Sequence, residues 1–315
     1  MIQLRIPGPT PCPDDVLKAV GRQMINHRGK EFGEVLANVT ARLKEMFQTK
    51  NDVFVLTTSG TGAMEATVVN SLSPGDKVLA VSIGAFGDRF ADIAQAYGAN
   101  VTRLNVELGH AADPDAVRKA LKADAGIKAV LLTHNETSTG VTNDLGELSK
   151  VVHEFDKLLL VDAISSMGSI NLPTDAWGLD VVATGSQKGW MTPPGLAMVA
   201  VSQRGWQAYE KAKMPRYYFD FGKARKYLEK NQTPWTPAIS LFFGLEVGLN
   251  DLAKEGLHNI FARHKRIAQR ARDNVKALGL KLFPASESYA SATVTAIEGP
   301  EGVDIKKLLQ VLRDE

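Results

Sequence analysis

An alternation of short apolar runs with helix-length amphipathic segments limits what this chain can fold into more than any other feature. Runs rich in Val, Ile and Leu fall at Val53–Thr58, Lys77–Ser82, Val101–Asn105, Lys128–Thr133, Lys157–Asp162, Leu179–Thr184 and Leu196–Val201. Between the first five lie helical patterns, near residues 62–72, 87–97, 113–123 and 144–155. Strand, helix and strand in succession pack as a parallel pair with the helix across one face. The pattern therefore predicts an α/β fold, a mostly parallel seven-stranded sheet flanked by helices. Between Thr184 and Leu196 there is no room for a crossover helix, so the last two runs are expected to pair antiparallel. After Val201 the pattern is irregular, then helical from about 240 to 278, with a strand-like stretch at Ser291–Ile297 and a final helix. The expected organisation is an N-terminal arm over 1–15, a large domain over 16–255 and a smaller C-terminal α+β domain over 256–315.

Composition narrows the partners. Of 315 residues, 23% are charged and the formal net charge is +2, with the basic residues dispersed. Such a surface carries no electrostatic footprint for nucleic acid or for an anionic membrane. One basic cluster, Arg263-His264-Lys265-Arg266 with Arg270 and Arg272, is interleaved with Ile260, Phe261, Ile267, Ala271 and Val275. That spacing predicts an amphipathic helix with a plain solvated face. Cys12 is the only cysteine, so neither an intrachain disulfide nor a thiolate zinc cage can form. Met1 to Thr10 lacks the apolar run of a signal peptide, and no stretch reaches membrane-spanning length, so a cytoplasmic location is expected.

Open α/β sheets bind ligands beyond the carboxyl ends of their strands. After the first run comes Ser59-Gly60-Thr61-Gly62-Ala63, opening a helix. Glycines let the chain turn tightly, and amides at a helix start attract phosphate, although a purely structural turn uses the same residues. Glu65 stands where a dinucleotide fingerprint needs its third glycine, and no P-loop lysine follows. The fifth run ends in Asp162. A carboxylate on so apolar a strand needs a partner, be it a helix start, a basic side chain or a cationic ligand atom such as a pyridinium nitrogen. The sixth leads into Gly185-Ser186-Gln187-Lys188-Gly189. A lone lysine is usually solvated, but one desolvated beside Asp162 and Ser59–Gly62 loses proton affinity and becomes a nucleophile toward an aldehyde. A phosphate cradle, a carboxylate for a ring nitrogen and an amine for a carbonyl are together what pyridoxal phosphate requires. Phe86, after the second run, can stack on a planar ring or pack in the core. The hydroxyl-rich stretch Thr133–Gly140 can reach a ring oxygen. His134 and Glu136 have no second histidine at helical ligand spacing, so no metal is expected.

With these motifs in this order, the chain resembles the class V aminotransferases of fold type I, specifically the alanine–glyoxylate and serine–glyoxylate (serine–pyruvate) branch. The likeness runs from Pro7-Gly8-Pro9-Thr10-Pro11 through Gln232-Thr233-Pro234-Trp235-Thr236-Pro237 and includes Ile25-Asn26-His27-Arg28. The resemblance implies pyridoxal 5'-phosphate held as a Schiff base on Lys188, with transamination between alanine or serine and an oxo acid such as glyoxylate or pyruvate. It further implies that Ser59, Gly60, Thr61 and Gln187 bind the phosphate, Phe86 and Ile164 flank the ring, Thr137 bonds the ring oxygen and Asp162 pairs with the ring nitrogen. Thr233 and Thr236 would reach the phosphate of the partner subunit, which implies a homodimer with sites at its interface. Relatives continue beyond the last residue here and supply an arginine for the substrate carboxylate. No residue of this chain matches that arginine, so either the small domain is incomplete or the substrate carboxylate is bound differently. Two alternatives remain open. One is a lyase of the cysteine desulfurase type, although those enzymes place a histidine before the lysine and use a nucleophilic cysteine, where this chain has Gln187 and only Cys12. The other is a non-catalytic subunit that keeps the fold and serves as a partner protein.

Overall fold

The computed structural model describes residues 4–314, so Met1–Gln3 of the expected arm and Glu315 lie outside the described residues. Two helices, α1 (Asp14–Val20) and α2 (Lys30–Phe47), precede β1 (Asp52–Thr57). Then follow α3 (Gly60–Ser71), β2 (Lys77–Ser82), α4 (Ala85–Ala96), β3 (Asn100–Asn105), α5 (Pro114–Ala123) and β4 (Ile127–Thr133). A small hairpin, β5 (Asn135–Glu136) and β6 (Val141–Thr142), leads to α6 (Leu145–Glu154), β7 (Leu158–Asp162), β8 (Val181–Gly185) and β9 (Leu196–Val201). The helices that follow are α7 (Gln203–Lys211), α8 (Phe221–Leu228), α9 (Ile239–Glu255), α10 (Leu257–Ala277) and α11 (Ile305–Asp314), with largely irregular chain between the last two.

The seven long strands form one sheet in the order β1-β9-β8-β7-β4-β2-β3. Only β9 runs against its neighbours, pairing antiparallel with both β1 and β8, while the other pairs are parallel. Because side chains alternate along a strand, each apolar run feeds two cores at once. In β7, Leu158 and Leu160 join a core with Met64 and Val68 of α3, Phe90 of α4 and Phe221 of α8. Leu159 and Val161 point the other way, to Leu36 of α2, Leu148 of α6 and Phe242 of α9. Burial of each such side chain contributes about 1.5–3 kcal/mol. A sheet covered on both faces explains why the strands read as unbroken apolar runs.

Two expectations need correction. The segment at 291–297 forms no strand, only the isolated pairings Val141↔Ala290 and Leu282↔Ile297 at its margins. Its backbone is captured locally: Ser291 Oγ accepts the N–H groups of both Thr293 and Val294, which competes with a ladder. Thr293 Oγ1 then donates to Ser165 O, and Ser291 N–H to Gly140 O, so the segment is a strap tied to the loops after β4 and β7. The basic face of α10 is not simply solvated either. Arg272 is 6% exposed and donates to Ser291 O and Gln269 Oε1, while Arg263 grips both carboxylate oxygens of Glu255. Arg272 stands in the stripe Ala268, Arg272, Val275, all buried, and that spacing was the available signal.

Candidate active site

The parallel strands deliver the expected residues to one edge of the sheet. Gly60, opening α3, sits against the loop after β7: a β-carbon there would lie 2.7 Å from Ile164 Cδ1. A β-carbon on Gly185, ending β8, would lie 3.3 Å from Gly60 Cα and 3.0 Å from Gln187 Oε1. Loops that follow three different strands therefore touch where Ser59, Gly60, Ile164 and Gln187 meet. The Ser59 side chain does not cap the start of α3, so its first amides have no partner from that side chain, a setting that favours an anion. Gln187 Oε1 is buried with no donor.

Asp162, last in β7, is 3% exposed. Its Oδ1 accepts the Ile164 N–H at 2.9 Å, and Thr133 Oγ1 approaches Oδ2 at only 3.5 Å. Burial lifts this carboxyl to about 7, the Ile164 amide resists, and the charge of Glu136 adds to the rise. Burial lowers the Lys188 amine, with the Asp162 charge acting in the opposite sense. Lys188 Nζ donates to Pro7 O at 2.6 Å. Thr10 holds that arm in place, its N–H on Gln187 O at 3.0 Å and its hydroxyl on Lys188 O at 3.1 Å. Beside the amine lies a cavity of about 190 Å³ whose walls include Thr10, Ser165, Arg263, His264 and Thr293. A larger groove of about 760 Å³, walled by Lys128, Arg204 and Lys213, lies at the opposite end of the strands and contains none of the expected residues.

Phe86 sits in the first turn of α4, half-buried, with the Arg89 guanidinium 4.7 Å from its ring centroid. Arg89 also donates to Thr61 Oγ1 at 3.4 Å. Thr137 follows Glu136 in the β5–β6 turn at the same edge. Arg89, Glu136 and His264 belong to this region, and none was singled out from the sequence as a site residue. The spacing of Arg89 from Phe86, three residues along a helix, was a usable signal. Thr233 and Thr236 stand apart. Thr233 is buried with its hydroxyl on Trp235 O, Thr236 is exposed, and both lie beside Val55–Thr57 of β1. Arg28 ties this segment down by donating to Thr233 O and Pro234 O.

The sequence model of the family described as Aminotransferase class-V matches residues 6–315. The chain belongs to the class-V aminotransferases. Among similar members, the soluble hydrogenase 42 kDa subunit of Anabaena cylindrica is 47% identical across 99% of this chain and 82% of its own length. The serine–glyoxylate aminotransferase of Methylorubrum extorquens is 38% identical across 98% of this chain and 79% of its own. Among solved structures, alanine–glyoxylate aminotransferase from a Nostoc species superposes with a TM-score of 0.93 at 32% identity, covering 98% of this chain and 82% of that one. The fold of this class-V member is therefore the one that its strand pattern predicts.

Proposed function

We propose that this chain catalyses transamination between a small amino acid, alanine or serine, and an oxo acid such as glyoxylate or pyruvate, using pyridoxal 5'-phosphate. The observation that carries the reading is the juxtaposition of Asp162 and Lys188: a buried carboxylate and a partly desolvated amine that feels its charge, delivered by neighbouring strands to one edge. The residues present fit that cofactor. Asp162 is in no salt bridge among the described residues, accepting from the Ile164 N–H and the Thr133 hydroxyl, and the amides opening α3 carry no side-chain cap from Ser59. When bound, the cofactor supplies an aldehyde for the amine and a ring that takes up the electron pair of a carbanion.

Each residue then has a task. Ser59, Gly60 and Thr61, with Gln187, hold the phosphate. Phe86 and Ile164 flank the ring, and Thr137 bonds its oxygen. Asp162 keeps a proton on the ring nitrogen. Desolvation leaves the Lys188 amine more readily neutral, hence able to attack a carbonyl and to take and return the substrate α-proton at Nζ. Serine–glyoxylate and alanine–glyoxylate aminotransferases among the relatives support the substrate pair. Burial raises the Cys12 thiol, which disfavours the thiolate that a desulfurase needs. Lys188→Ala is expected to abolish both the borohydride-reducible chromophore and turnover; a variant retaining both would end this reading. The Anabaena relative, described as a hydrogenase subunit, favours a second reading, a non-catalytic partner protein. Conversion of bound cofactor to its pyridoxamine form on adding alanine or serine excludes that second reading.

A further inference from the structure

Glu136 is fully buried, and the proposed chemistry gives it no task. Its Oε2 accepts the N–H groups of Phe86 at 3.0 Å and Gly87 at 3.1 Å. Its Oε1 accepts the Ser138 N–H at 3.0 Å and the Ser138 hydroxyl at 2.7 Å. All four neighbours are donors, the surroundings of a carboxylate acting only as acceptor. Amides in the first turn of a helix have no partner within it, and negative charge is favoured there. Glu136 thus caps α4 from another element altogether, the hairpin after β4. Ser138 extends the cap, its Oγ accepting the Ala85 N–H at 3.0 Å. Three successive amides of α4 are held by one turn. Gly84 lets the two segments meet: a β-carbon there would lie 2.5 Å from Ser138 Oγ and 2.6 Å from Glu136 Cγ.

The residues on either side of this contact are Phe86 and Thr137, which have separate tasks around one planar ring. Arg89 covers the ring of Phe86 at 4.7 Å, so the ring is fixed by a side chain and the backbone beneath it by Glu136. Stacking and a hydrogen bond to the same ligand both weaken when their separation drifts by a fraction of an ångström. We propose that Glu136 is a positioning residue that clamps the Phe86 loop to the Thr137 turn and so sets the slot for the cofactor ring. The clamp rests on the reading of this edge as a pyridoxal phosphate site.

Two variants test it, each as the full chain with and without pyridoxal phosphate. Glu136→Gln keeps the volume and removes the charge, leaving an amide facing donors. It is expected to weaken pyridoxal phosphate binding about ten- to hundredfold. Loss of visible-band circular dichroism should accompany the weakening, a signature that a purely stabilising cap would leave alone. Without cofactor, the amides of Phe86, Gly87 and Ser138 should exchange about tenfold faster or more. Ser138→Ala, at an exposed position, removes one donor and the Ala85 acceptor, and is expected to move the same readouts in the same direction by less. Unchanged amide exchange, or affinity within about twofold of the parent with intact dichroism, overturns the clamp. Should Glu136→Gln not fold, Ser138→Ala decides by the same criteria. A parent chain that fails to bind pyridoxal phosphate sinks the proposed function instead, while amide exchange still judges the clamp.

Discussion

Burial makes the charged form of Asp162 weigh against folding. Burial raises this carboxyl from 3.8 to about 7. Between those values the folded chain binds more protons than the unfolded one. Its contribution to stability is therefore fully present below about 4 and is lost as pH rises through about 7. Asp162→Asn removes the titration but keeps an acceptor for the Ile164 N–H. Without cofactor, the melting temperature of the parent relative to this variant is expected to fall by about 2 °C or more from roughly pH 5 to pH 8. A constant difference in a thermal scan across that range would remove the buried carboxylate from the account. In the proposed function the same substitution would withdraw the anion from the ring nitrogen, so kcat should drop about a hundredfold or more. Gly8 makes a second point at this scale. Its φ is +142°, and a β-carbon would lie 2.5 Å from Lys188 Nζ. Gly8→Ala is thus strained twice over, and is expected to lose the borohydride-reducible chromophore while far-ultraviolet dichroism stays intact.

At the scale of elements, the strands were legible because each is buried on both faces, which leaves continuous runs such as Leu158-Leu159-Leu160-Val161. Asp162 and Lys188 were legible because each stands just past such a run. What the sequence hid was long-range pairing. Nothing near Glu136 announces that it caps a helix starting at Ala85, and nothing near Ser291 says that its hydroxyl would capture backbone amides instead of letting a strand form. Helix α2 carries a clear stripe, Phe32, Leu36, Val39 and Leu43, at helical spacing. The strap at 291–294 hangs on α10 through Arg272, which donates to Ser291 O from a buried position. Arg272→Met keeps the apolar stem but leaves that carbonyl and Gln269 without their donor. A loss of about 1–3 kcal/mol is expected from urea unfolding, against less than about 0.5 kcal/mol for Arg270→Met on the exposed side of the same helix. Equal losses would mean that the strap is held by other contacts.

At the scale of the whole molecule, the side proposed to take the phosphate is open. Ser59, Thr61 and Arg89 are all exposed in the single chain, while the Thr233–Thr236 segment stays beside β1 without contact to Asp162 or Lys188 among the described residues. Arg28 fixes that segment through two backbone carbonyls. Two copies that meet across this side would resolve both facts, each offering its Thr233 segment to the phosphate of the other, as expected of an isologous dimer. Complementation separates the arrangements. Lys188→Ala and a Thr233→Val, Thr236→Val double variant should each be impaired alone, the first by loss of the amine and the second by loss of two hydroxyls. After mixing and subunit exchange, the mixed dimer contains one site with both Lys188 and the threonines intact. Half the dimers are mixed and half their sites are whole, so roughly a quarter of parental activity should return. The recovery should follow the rate of subunit exchange seen by light scattering and mass analysis. If the two variants mix into dimers and no activity returns, the threonines act within their own chain or not at all, and the shared site is wrong.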